Sequence, residues 1–113
     1  MLPKVNRLRK KKNFEQIFRK GKEFKEKFLF IKAIENNLKE SRFSFIVSRK
    51  VSKKATIRNK IRRKMREEIR SRLPFIKKGF DIILIFSPKG KSQDFREMTG
   101  LIDKLFQKAK IFK

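Results

Sequence analysis

The residues able to do chemistry in this sequence are its cations. Lys and Arg together number 35 of 113 residues against 11 Asp and Glu, a net charge of +24. They concentrate in residues 49–72, RKVSKKATIRNKIRRKMREEIRSR, where twelve Lys or Arg meet two Glu. On a helix, at roughly 100° per residue, Ile57, Ile61, Met65, Ile69 and Leu73 form one apolar stripe that must face a core. Arg62, Arg66, Asn59, Arg70 and Arg63 gather in a sector about 100° wide along one edge of that stripe, and Lys60 and Lys64 flank the other edge. Arg58, Arg62, Arg66 and Arg70 follow one another at intervals of four, so each repels the next. A face built only for solvation would mix Glu with Lys at that spacing. Guanidinium groups offer a planar donor fork that fits phosphate oxygens two at a time, and phosphates would turn the repulsion into binding.

The missing residue types narrow the chemistry further. There is no Cys, so no disulfide framework, thiolate zinc site or cysteine nucleophile. There is no His, which removes the usual general base and the commonest metal ligand. A self-sufficient hydrolase would have to work with its few carboxylates. Asp81, Asp94, Asp103 and Glu97 could be imagined as a metal cluster, but they fall on different elements and match no ligand spacing. Asp94 and Glu97 read instead as acids in the first turns of a helix, where the macrodipole favours them. A charge of this size needs an anionic partner: nucleic acid, membrane surface or acidic protein. No apolar run approaches the ~18–20 residues of a membrane span, and there is no Trp for an interfacial helix. Residues 1–12 are basic without an apolar core, unlike a signal peptide, so the expected location is the cytoplasm.

The elements that must hold these residues can be read from periodicity. At 38% apolar, with 13 Phe, the chain can build one domain with a core. Residues 1–12 read as a flexible basic arm. Asn13 and Gln16 resemble a capping box, and the spacing of Phe14, Ile17 and Phe18 predicts a helix over 13–20 with Gly21 as its stop. A strand over 28–34 and an alternating strand over 42–49 are expected to pair as a hairpin, and residues 50–55 form a basic loop. The charged helix covers 56–72 and ends before Pro74. Residues 79–86 are an unbroken apolar run, expected to be a strand buried on both faces. Ser92 would cap a last helix carrying Phe95, Met98, Ile102, Leu105, Phe106 and Ala109. The order is α-β-β-α-β-α, an α+β domain with a small mixed sheet and a βαβ unit around helix 56–72.

Residues 47–51 (Val-Ser-Arg-Lys-Val) followed by Ala55-Thr56-Ile57-Arg58-Asn59-Lys60-Ile61-Arg62-Arg63-Lys64-Met65-Arg66-Glu67 resemble the signature of the bacterial ribonuclease P protein family. The N-terminal Asn6-Arg7-Leu8, Phe14, Phe18 and Gly21, the length and the element order are similar too. Three positions depart from the family pattern. Lys60 stands for the usual Arg, Ser52 for a glycine, and Ile31 for an aromatic that many members carry in the first strand. Composition alone would suit a ribosomal protein equally well; the Arg58–Glu67 motif separates the two.

The resemblance implies an RNA-binding subunit that assists a catalytic RNA, with bound Mg2+, in removing the 5′ leader from precursor tRNA. No catalytic side chain and no metal held by the protein alone would be expected, nor a DNA or membrane partner. It also implies an unusual left-handed βαβ crossover, against the usual right-handed rule. Arg49, Lys50, Lys53, Lys54, Arg58, Asn59, Lys60, Arg62, Arg63, Arg66 and Arg70 would contact the RNA subunit. Phe14, Phe18, Lys10, Lys11, Lys12, Ser44 and Ser48 would line the leader groove. For Phe14 and Phe18 composition alone favours core, as it does for Phe43, Phe45, Phe80, Phe86, Phe95 and Phe106.

Overall fold

The computed structural model describes residues 2–89 and 95–113. Its helices are α1 (Lys11–Lys20), α2 (Ala55–Arg72) and α3 (Phe95–Lys108), and its strands β1 (Lys22–Glu26), β2 (Leu29–Glu35), β3 (Arg42–Val47) and β4 (Phe80–Phe86). The four strands form one mixed sheet in the order β1-β2-β4-β3. This is an α+β domain, as expected, with a parallel β3–β4 pair joined through α2.

The central position of β4 follows from its composition. Ile82, Ile83 and Leu84 are fully buried, so the strand needs neighbours on both edges and cover on both faces. It pairs antiparallel with β2 and parallel with β3. The expected β2–β3 hairpin is therefore corrected: β4 lies between the two. Ile82, Leu84 and Phe86 join Phe43, Val47 and Ile31 in the main core, closed by Ile61, Met65 and Ile69 of α2 and by Met98, Ile102, Leu105 and Phe106 of α3. Phe45 and Phe80 pack against that core half-buried. The opposite face carries Ile83, which with Ile17 of α1 and Leu8 makes a second, smaller cluster.

Two further expectations are corrected. Strand β1 was not anticipated, because KEFKE has a single apolar residue and the turn after it, Lys27-Phe28, holds no Gly, Asn or Asp. Lys27 takes a positive φ of 50° there, and pairing with β2 supplies what the sequence pattern does not. The order is thus α-β-β-β-α-β-α. The N-terminal arm is docked: Leu2 and Leu8 are buried, Leu8 N donates to Phe43 O at 2.9 Å, and Asn6 Nδ2 donates to Ser41 O at 2.8 Å. Two well-spaced leucines and one asparagine are enough to hold a segment that its charge suggested would float.

Helix ends also differ from the reading. α1 begins two residues earlier, with Lys10 as its cap and no side-chain cap bond, so Asn13 lies inside the helix. Gly21 ends it in an extended conformation, φ −69°. Its glycine is required by space, since a Cβ there would lie 2.5 Å from Ile17 O. The expected Ser92 cap, Asp94 and the Phe95 side chain lie outside the described residues.

Candidate nucleic-acid interface

Helix α2 presents its cations because its apolar stripe is anchored. Ile61, Met65 and Ile69 are fully buried, with Ile57 and Leu73 at the margins. Two polar residues join the buried side, and sequence reading missed both. Glu68 and Arg72 bond at 2.6 Å, Arg72 Nε donates to Asp103 Oδ1 at 2.7 Å, and Thr99 Oγ1 donates to Glu68 Oε1 at 2.9 Å. Lys64 reaches the same carboxylate at 2.9 Å. Burial would raise the Glu68 carboxyl, but the bonds from Arg72, Lys64 and Thr99 outweigh it and hold it below the ordinary carboxylate range. This network clamps α2 to α3. The only sequence signal was the pair of Glu at 67 and 68, of which one is turned inward.

With Lys64 and Arg72 committed to the clamp, three of the remaining α2 cations, Arg58, Arg62 and Arg66, line two concavities. Arg49, Lys50, Lys53 and Arg58 surround a hollow of about 490 Å3 at the start of α2. Arg58 Nη1 donates to Ser52 O at 2.8 Å, which folds the basic loop back on the helix. The helix begins at Ala55, its capping residue Lys54 makes no side-chain cap bond and there is no acid in its first turn, so its positive end adds to the same field. Arg62 and Arg66, both half-buried, line a second hollow of about 310 Å3 against the N-terminal segment and β3. Arg62 Nη1 donates to Asn59 Oδ1, so the asparagine orients an arginine. Lys60, Arg63 and Arg70 are exposed on the same helix.

The residues expected to line a leader groove are only partly brought together. Phe18 stands 45% exposed, with Lys32 Nζ 5.2 Å from its ring centroid. Phe14 is half-buried against the small Leu8–Ile17–Ile83 cluster, so the two rings are not equivalent. Lys10, Lys11 and Lys12 are exposed at the start of α1. Ser44 lies beside Ile83 and lines the second hollow. The expected place of Ser48 in the strand is corrected: β3 stops at Val47, and Ser48 opens the turn closed by Val51 N donating to Ser48 O at 3.1 Å, at the start of the basic loop.

The sheet supplies residues the sequence reading passed over. In strand register Phe30, Ile85 and Ile46 form one row next to the row of Lys32, Ile83 and Ser44. All three of the first row are half-buried, and Lys25 Nζ sits 5.2 Å from the Phe30 ring centroid. Ile31, where the resemblance leads one to expect an aromatic, packs in the main core, and Phe30 puts an aromatic on the opposite face, in the row with Ile85 and Ile46. Strand alternation was the available signal.

Three of the four acids that could be imagined as a metal cluster serve as partners of cations, and Asp94 lies outside the described residues. Asp81 takes both arms of Arg42, at 2.8 and 2.6 Å, Asp103 takes Arg72, and Glu97 takes Lys27 at 3.2 Å. Among the described residues no three carboxylates gather in a way that could hold a metal ion.

A family model described as Ribonuclease P matches residues 2–110. The chain belongs to the ribonuclease P protein family. The ribonuclease P protein component of Pseudanabaena sp. is 30% identical over 112 residues, covering 98% of this chain and 97% of its own length. That of Synechocystis sp. is 35% identical over 111 residues, covering 97% and 90%. Among solved structures, the Staphylococcus aureus RNase P protein at 2.0 Å superposes with a TM-score of 0.87 at 26% identity, covering 97% of this chain and 100% of that one. The Thermotoga maritima RNase P protein gives 0.80 at 33% identity, covering 90% and 96%. Membership makes this chain a component of ribonuclease P, an endoribonuclease of tRNA processing. No described helix is long and apolar enough to cross a membrane.

Proposed function

We propose that this chain is the RNA-binding subunit that assists the catalytic RNA of ribonuclease P in removing the 5′ leader from precursor tRNA. The loop at 49–54 and the outer face of α2 hold the RNA subunit. The groove between α1 and the sheet, with Phe18 and Phe30 as its aromatic surfaces, receives the leader. The observation that carries this reading is that Arg58, Arg62 and Arg66 of α2 line two hollows with no acidic residue in either lining. A surface of that kind offers guanidinium and ammonium donors to phosphates and gives a competing acidic side chain no place.

The chemistry then belongs to the RNA. Phosphodiester hydrolysis needs a nucleophile, a proton acceptor and charge stabilisation, and this chain has no His or Cys to supply the first two. Mg2+ held by the RNA subunit would supply a coordinated water of lowered pKa as the nucleophile and would stabilise the developing charge. The protein contributes position: it draws in two anionic chains and screens their mutual repulsion. A cytoplasmic location follows from the tRNA substrate.

The test is reconstitution. Added to a ribonuclease P RNA at physiological Mg2+, the chain should restore cleavage at the mature 5′ end, while the chain alone should cleave nothing. Failure to restore cleavage, with capture of ribosomal RNA from lysate, would favour a ribosomal role.

A further inference from the structure

The hollow between the N-terminal segment, β3 and α2 differs from a simple phosphate seat. Its cations are Arg7, Arg9, Arg62 and Arg66, but its floor is apolar, made by Leu2, Leu8, Phe43 and Phe45. Leu2, Leu8 and Phe43 are each at most 5% exposed, so the floor is set by core packing and does not depend on a ligand. β3 is an edge strand of the sheet, and the N-terminal segment docks along it through a parallel bridge between Arg7 and Phe43, forming one wall of the hollow. At about 310 Å3 the hollow falls at the small end of ligand sites and suits one planar ring with its attached phosphate. Arg62 and Arg66 lie one helical turn apart, and Arg7 is held from the opposite wall by Nε to Leu2 O at 2.9 Å.

We propose that this hollow seats one unpaired nucleotide of a bound RNA. The base enters over the apolar floor, where guanidinium planes stack on it, and its phosphate rests on the arginines at the rim. Ser44, half-buried at the wall, offers one hydroxyl to a base edge. A helical phosphate backbone would use the arginines but leave the floor empty. An acidic peptide would do the same. The inference rests on the reading that the chain binds RNA, and it adds a base-accepting site distinct from the groove beside Phe18 and Phe30.

The chain has no cysteine, so a single introduced one is a clean probe. Arg9 is exposed and its replacement spares the core. Arg9→Cys carrying a photoreactive aryl azide, assembled with the ribonuclease P RNA and precursor tRNA, should crosslink to one unpaired nucleotide. Lys113→Cys, exposed at the far end of the chain, should give no such product. Removing the base of the crosslinked nucleotide, with its sugar-phosphate kept, should weaken assembly with the wild-type chain at least fivefold. With Ser44→Leu, which fills the hollow, removing the base should change little. Should Ser44→Leu fail to fold, the wild-type comparison of intact and abasic RNA still decides. Crosslinks spread over paired backbone, or an abasic RNA that binds as well as the intact one, would overturn the proposal while the RNA-binding reading stands. Loss of all RNA affinity in the wild-type chain would instead overturn that reading.

Discussion

Phe14 and Phe18 lie one turn apart on α1, yet the same substitution should act differently at each. Phe18 is 45% exposed and touches Lys32, whereas Phe14 packs on the Leu8–Ile17–Ile83 cluster. Phe18→Ala should lower affinity for precursor tRNA by about 1–3 kcal/mol, the worth of one stacked base, and leave mature tRNA and thermal stability unchanged. Phe14→Ala should instead cost about 2–3 kcal/mol of stability, somewhat below the range for a fully buried ring. Melting curves together with the ratio of precursor to mature affinity check both; equal stability losses would place Phe18 in the core. Among the arginines, Arg58→Ala, Arg62→Ala and Arg66→Ala should each weaken RNA-subunit binding by about 1–3 kcal/mol with the fold intact, as judged by circular dichroism. An unfolded variant would make that residue structural.

At the scale of elements, two devices hold the proposed interface in place. Gly21→Ala would drive a Cβ to 2.5 Å from Ile17 O, at the turn where α1 passes into β1. It should destabilise the protein by about 1–3 kcal/mol, read as a lower urea midpoint. The Glu68–Arg72–Asp103 clamp carries a pH dependence of known sign. Glu68 has a lowered pKa in the fold, so its contribution is complete above the ordinary value of 4.5 and is lost as pH falls through the lowered one. Glu68→Gln should cost roughly 3 kcal/mol at neutral pH, because it leaves Arg72 short of one anionic partner. Its stability should then fall less than wild type on acidification below pH 4.5; a parallel fall would assign the acid transition to other groups. The clamp also marks where sequence reading stops. Apolar periodicity gave α2, β4 and α3 their places, because burial leaves a pattern of its own. It gave no notice of Glu68 turning inward, since that depends on Thr99 and Asp103 arriving from α3. β1 was invisible for a related reason: its five residues gain their structure from pairing with β2 and bury little of their own. At the interface, residue types identified the arginines of α2, whereas Phe30, Ile46 and Ile85 needed the sheet register to bring them into one row.

For the whole molecule, a charge of +24 sits on a body of 36 × 28 × 24 Å. Such a chain repels itself, and the repulsion is screened as the Debye length shrinks from about 30 Å at 0.01 M salt to about 8 Å at 0.15 M. The free protein should therefore melt at higher temperature as NaCl is raised over that range. A melting temperature that falls instead would mean the exposed cations are already balanced within the fold. Binding to RNA should respond in the opposite sense, because each phosphate neutralised releases a condensed counterion. The most direct test of the account is the affinity of the chain for the ribonuclease P RNA measured across a salt series. With about 6–8 phosphates held by the loop and outer face of α2, log K should fall against log salt with a slope of roughly −4 to −7. Replacing Arg58, Arg62 and Arg66 together by Ala should make that slope shallower by about 2–3. A wild-type slope shallower than about −2, or a triple variant with the wild-type slope, would contradict the assignment of this face as the RNA-binding surface.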